Sequence, residues 1–128
     1  MIDIENEVFN YVANGLQTAF NRIDVSSEYV PAPKEFPHVS LWEELHSRVT
    51  GNVTLDRQPE SACNLSYTAN IYCNQARGKK KQAKDILKVI ESRMNDLGFM
   101  LDSSRPTPDY DTTIYRITAI FSKIHQTF

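Results

Sequence analysis

Between residues 3 and 20, apolar side chains recur at Ile4, Val8, Tyr11, Val12, Leu16, Ala19 and Phe20, a spacing of three and four that gathers them on one face of a helix. Asp3 stands where a side-chain cap would sit, and Glu5 and Glu7 place negative charge in the first turn, where free amide groups and the helix dipole favour it. Gly15 weakens the helix, and its missing side chain suits a close approach by a sheet. A second stripe, Ala83, Ile86, Leu87, Ile90, Met94 and Leu97, closed by Gly98, predicts another amphipathic helix.

Elsewhere the period is two. Ile23 to Val25, with Tyr29 and Val30, predicts a short strand that Pro31 and Pro33 turn into an extended connection. Pro37 opens a strand in which Val39 and Leu41 face one way and His38, Ser40 and Trp42 the other. The most regular strand runs from Ala62 to Cys73, with Cys63, Leu65, Tyr67, Ala69, Ile71 and Cys73 on one face. Phe99 to Leu101 reads as a short strand and Arg105 to Asp109 as a rigid loop. Thr112 to Ile124 reads as a long strand, apolar on both faces and therefore central. The polar stretch from Glu43 to Ser61, with Gly51 and Pro59, reads as a long loop or a hairpin.

This order predicts one α+β domain over residues 1–128, with a mostly antiparallel sheet of about four to five strands and two amphipathic helices packed on one face. The other face is left for a neighbour. At 128 residues and 41% hydrophobic content the chain can bury a single core unaided. Its formal charge of −2, with both signs interspersed, provides no field that would grip DNA or an anionic membrane. No stretch approaches the ~20 apolar residues of a membrane span, and the acidic opening MIDIENEVFN has no apolar secretory segment. These features place the chain in a cytoplasm. Cys63 and Cys73 lie in one predicted strand, about 33 Å apart if it is unbroken, so they are expected as reduced, half-buried thiols.

The sequence has no glycine-rich phosphate loop, H-E-x-x-H, C-x-x-C or G-x-S-x-G, and no catalytic, cofactor or metal residues are assigned. His38, His46 and His125 are scattered and read as surface or rim histidines. The pairs Glu43-Glu44 and Asp109 with Asp111 lack a third group to orient them for acid–base work, and suit charge pairing across an interface better. The run Lys79-Lys80-Lys81, continued by Lys84, reads as a solvated helix face. Lysines in a first turn nevertheless oppose the helix dipole and invite acidic groups from outside the helix.

Three segments together resemble a known family: Met1-Ile2-Asp3-Ile4-Glu5-Asn6-Glu7-Val8-Phe9; Tyr29-Val30-Pro31 through Phe36-Pro37-His38-Val39-Ser40-Leu41; and Gly78-Lys79-Lys80 followed by Ala83-Lys84. With Leu97-Gly98-Phe99 and Asp111-Thr112-Thr113-Ile114-Tyr115-Arg116, they are similar to the tail-terminator and minor capsid (head–tail joining, neck) proteins of long-tailed bacteriophages. The resemblance implies a small α+β subunit with no active site, assembled in the host bacterial cytoplasm into the virion. It would form a ring, commonly a hexamer, that ends tail-tube growth and meets the head connector or neck proteins. DNA would pass the lumen without specific binding, and the Glu43 to Ser61 loop would order on ring closure. The interface residues expected on this basis are Trp42, Glu43, Glu44, Arg48, Arg57, Tyr72, Lys79 and Lys80, since aromatics and arginines dominate contact energies. A head-side neck subunit is the nearest alternative, and a small α+β ligand-binding domain a remoter one.

Overall fold

The computed structural model describes residues 4–48, 62–109 and 111–126; the side chains of Arg48, Ala62, Cys63, His125 and Gln126 fall outside that description. The elements run α1 (Glu5–Ala19), β1 (Asp24–Ser26), β2 (His38–Arg48), β3 (Ala62–Cys73), α2 (Lys79–Asp96), β4 (Met100–Pro106) and β5 (Tyr115–Gln126). The strands form one sheet in the order β1-β2-β3-β5-β4, antiparallel throughout except for the β1–β2 pair. The fold is α+β, with both helices on one face of the sheet.

α1 buries Val8, Val12 and Leu16, and α2 buries Ala83, Ile86, Ile90 and Met94, the stripes that the spacing predicted. They close over Val39 and Leu41 of β2, Leu65, Tyr67, Ala69 and Ile71 of β3, and Ile117, Ala119 and Phe121 of β5. Full burial of each large aliphatic side chain contributes roughly 1.5–3 kcal/mol. Tyr67 and Phe99 meet edge to face at 5.1 Å between ring centres, the arrangement that aromatic quadrupoles prefer.

Ile4 occupies the N-cap position of α1 without a side-chain cap; Asp3, expected there, lies outside the described residues. α2 ends as predicted at Gly98, whose φ of +90° is a conformation that suits glycine. The Gly98 amide donates to the Asn95 carbonyl and the Phe99 amide to the Met94 carbonyl, both at 2.9 Å, closing a Schellman turn. Gly15 serves a different purpose from the one expected. What lies against it is Arg93 of α2 rather than the sheet, with the Nε of Arg93 only 2.5 Å from where a Cβ would be. Arg93 in turn lies 4.6 Å from the ring centre of Tyr11.

Several strand boundaries differ from the reading of the sequence, and β5 begins at Tyr115 rather than Thr112. Residues 43–48, taken for the start of a loop, continue β2, because a bulge between Glu43 and Leu45 resets the alternation without ending the strand. Arg105 and Pro106, taken for loop, belong to β4. That strand lies at the sheet edge, where proline's missing amide interrupts no ladder. The remainder of the expected 43–61 loop, residues 49–61, lies outside the described residues.

Candidate functional site

The strand registers define what the helix-free face presents. Reading across β2, β3, β5 and β4, one row is His38, Tyr72 and Arg116; the next is Ser40, Asn70, Thr118 and Arg105; and the next is Trp42, Thr68, Ile120 and Ser103. Below the bulge the rows are Leu45, Ser66, Ser122 and Met100, then Ser47, Asn64 and Ile124.

The upper part of this face is covered. His38, Ser40, Asn70 and Tyr72 are buried although no helix lies over them. Tyr29, from the proline-rich connection after β1, stands 5.5 Å from Trp42 in ring-centre distance, and the guanidinium of Arg116 lies 5.9 Å from the ring centre of Tyr29. The expected open face is thus only half open. In its lower part Leu45 is 51% exposed, Met100 67% and Ile124 61%.

His38 is a core residue, contrary to the surface or rim position expected of the histidines. Its Nδ1 lies 2.8 Å from the Asp24 carboxylate, and its Nε2 lies 2.9 Å from the Ser40 hydroxyl. A carboxylate can only accept, so Nδ1 donates to Asp24, and Nε2 shares a hydrogen bond with the Ser40 hydroxyl, which can either donate or accept. The order Asp24, His38, Ser40 matches the roles of a hydrolytic triad. Ser40 is 0% exposed, however, and no substrate carbonyl reaches its Oγ in this fold. The chain of bonds satisfies buried polar groups and pins β1 to β2.

A second polar cluster lies on the helix side of the bulge. Glu43 and His46 would face opposite ways in a regular strand if a single residue were not extra between them. With Glu44 bulged, both turn inward, and His46 Nδ1 lies 3.2 Å from Glu43 Oε1. The Tyr67 hydroxyl donates to Glu43 Oε2 at 3.2 Å, and the Glu43 amide donates to Glu5 Oε2 at 3.1 Å. This ties the first turn of α1 to the bulge. Glu43 is therefore engaged within the domain, whereas Glu44 points to the opposite face and accepts the Trp42 indole N–H at 2.7 Å.

The remaining expected interface residues divide by environment. Tyr72 is fully buried and makes no surface contact; burial raises its phenol above the ordinary value. Trp42 is half-buried at the rim of a depression. The lysine Lys79 donates to the Thr113 carbonyl at 3.0 Å, and Lys80 stands 5.9 Å from the ring centre of Tyr115. Part of what holds charge at the start of α2 is thus the domain's own 111–115 segment, with Asp111 close enough to Lys79 to feel its charge. Arg57 lies outside the described residues, and only the backbone of Arg48, at the end of β2, is described.

Sequence reasoning missed Arg116. Three adjoining open depressions of about 410, 400 and 420 Å³ share it as a lining residue. The first also has Tyr29, Trp42, Glu44, Thr68, Asn70 and Thr118, and the others extend it past Pro31, Pro108 and Asp109. The floor is bonded internally: Thr107 donates to the Thr118 hydroxyl at 2.7 Å, and Thr118 donates to Asn70 Oδ1 at 2.8 Å. Only the position of Arg116 on the polar face of an otherwise apolar strand could have drawn attention to it.

Among the described residues no group of three or more histidine, cysteine, aspartate or glutamate side chains is placed to hold a metal ion, and no helix is long and apolar enough to cross a membrane. Comparison with known proteins finds no family model that matches the chain and no curated protein similar to it.

Proposed function

We propose that this chain is a structural subunit that assembles with copies of itself into a ring, in the manner of the tail-terminator proteins its sequence resembles. One observation carries the reading. All four large apolar side chains that stand exposed among the described residues, Tyr29, Leu45, Met100 and Ile124, belong to the helix-free face or to the segment lying over it. Exposed apolar groups gathered on one face mark an interaction surface more often than groups scattered singly. A ring also needs two different patches on each subunit, and the long edge strand β4, exposed along nearly its whole length, supplies unpaired backbone groups for a second one.

On this reading the ring sits in the virion at the head-proximal end of the tail, contacts the tail-tube protein on one side and the head connector on the other, and performs no catalysis. The test is the mass of the purified protein in solution as concentration and salt are varied, first alone and then with the cognate tail-tube protein. A ring, formed alone or on meeting the tube end, supports the reading. A monomer indifferent to both overturns it.

A further inference from the structure

Arg116 is the one residue common to the three depressions, and among the described residues no carboxylate is paired with it. Its Nε is enclosed without a hydrogen-bond acceptor. The two carboxylates that line these depressions with it each accept from another donor: Glu44 from the Trp42 indole at 2.7 Å, and Asp109 from the Asp111 amide at 3.1 Å. An acceptor brought from outside can pair with the part of the guanidinium that lines the open depressions, where a charge pair is only partly desolvated.

We propose that this groove is a docking site for an acidic segment of a partner protein, which places one aspartate or glutamate carboxylate against Arg116. The guanidinium is already held, 5.2 Å from the ring centre of Tyr72 and 5.9 Å from that of Tyr29, so little side-chain freedom remains to be lost on binding. Asn70 and Thr68, 2% and 7% exposed, form a fixed polar floor. Tyr29, Trp42 and the prolines Pro31 and Pro108 form walls that suit the apolar residues flanking a carboxylate in a peptide. A nucleic acid fits the same groove poorly. Its successive phosphates need several cations, whereas Arg116 is the only cation among the described residues that line these depressions, enough for one carboxylate. The proposal goes beyond the ring reading and does not depend on it.

Trp42 is the only tryptophan in the chain and lines the groove, so its fluorescence reports occupancy directly. The experiment titrates the full chain with acetyl-Leu-Glu-Leu-amide, with its glutamine counterpart acetyl-Leu-Gln-Leu-amide, and with inorganic phosphate. The expected result is a saturable change with the glutamate peptide, at least about tenfold weaker binding of the glutamine peptide, and a loss of about tenfold or more in Arg116→Gln, with part of the affinity kept in Arg116→Lys. Far-UV circular dichroism establishes that each variant is folded; should Arg116→Gln unfold, the glutamate-to-glutamine ratio on the unaltered protein still decides. Equal binding of the two peptides, saturation by phosphate alone, unchanged affinity in a folded Arg116→Gln, or no response to the glutamate peptide each overturns the proposal.

Discussion

Arg93 of α2 lies across Gly15 of α1, with its Nε 2.5 Å and its Cγ and Cδ 3.0 Å from the position a Cβ at residue 15 would take. The glycine is therefore a slot for an arginine that also stacks on Tyr11, while the Tyr11 hydroxyl donates to Asp96 at 2.7 Å. Gly15→Ala should gain about 1 kcal/mol of helix propensity and forfeit a similar amount by displacing Arg93 from its stack, worth about 0.5–1 kcal/mol. The single change is expected to be nearly neutral. In an Arg93→Ala background the same change should stabilise by about 1 kcal/mol, and a urea-unfolding double-mutant cycle reads the difference. Equal stabilisation in both backgrounds would show that the two residues are not in steric competition.

Met100 and Ile124 stand exposed on the helix-free face and pack against little of their own domain. Met100→Glu and Ile124→Glu should change monomer stability by no more than about 0.5 kcal/mol while raising the concentration at which the ring forms. Trp42→Ala should likewise weaken assembly and leave the monomer folded, since Trp42 is half-buried at the rim, beside Tyr29 and bonded to Glu44. Sedimentation velocity across a concentration series, beside a thermal melt of each variant, checks both. Variants that assemble like the parent protein would remove this face from the interface.

Burial at the end of β3 pushes the Cys73 thiol up to about 12. An unfolded chain's thiol titrates near 8.5, so the folded state resists forming the thiolate. The stability this represents is intact below about pH 8.5 and declines as pH rises from there towards 12. In a Cys63→Ser background, where Cys73 is the only thiol, labelling by a disulfide reagent at pH 8 should proceed only as fast as the protein opens. Rapid stoichiometric labelling of the native state would contradict the buried placement.

The Asp111 carboxylate is held below the usual carboxylate range, first by the Thr113 hydroxyl, then by the Thr113 amide, with a smaller contribution from Lys79. Because the folded value is depressed, whatever this turn adds to stability is present above about pH 4 and is lost as pH falls through the folded value. Thr113→Ala removes the hydroxyl donor and keeps the amide, so it should move the Asp111 titration back part of the way. Carboxyl-carbon NMR titration of the two proteins measures this, and an unmoved curve would show that the hydroxyl bond does not form in solution.

Ser40→Ala takes away the hydrogen-bond partner of the buried Nε2 of His38 and leaves that nitrogen unsatisfied. A cost of about 1–3 kcal/mol is expected in chemical denaturation. A neutral result would mean that His38 finds another hydrogen-bond partner.

The periodicity of the sequence determined both helices, the regular strand β3, the central place of β5, and the end of α2 at Gly98. Each depends on local rules, a period of 3.6, a period of two, or a residue able to take positive φ, that hold whatever the rest of the chain does. Tertiary structure decided what these rules cannot reach. One bulged residue, Glu44, turned Leu45 outward and His46 inward, because inserting a residue into a strand exchanges the faces of everything beyond it. The proline-rich connection folded back over the sheet and made His38 and Tyr72 core residues, which alternation along β2 and β3 had left on the open side. Arg116 became a candidate for binding only through what surrounds it in space: Tyr29 from the connection after β1, Tyr72 from β3, and carboxylates already committed to other donors. Those neighbours come from distant parts of the chain, and a side chain's unmet charge is a property of its surroundings in the folded state rather than of its neighbours in sequence.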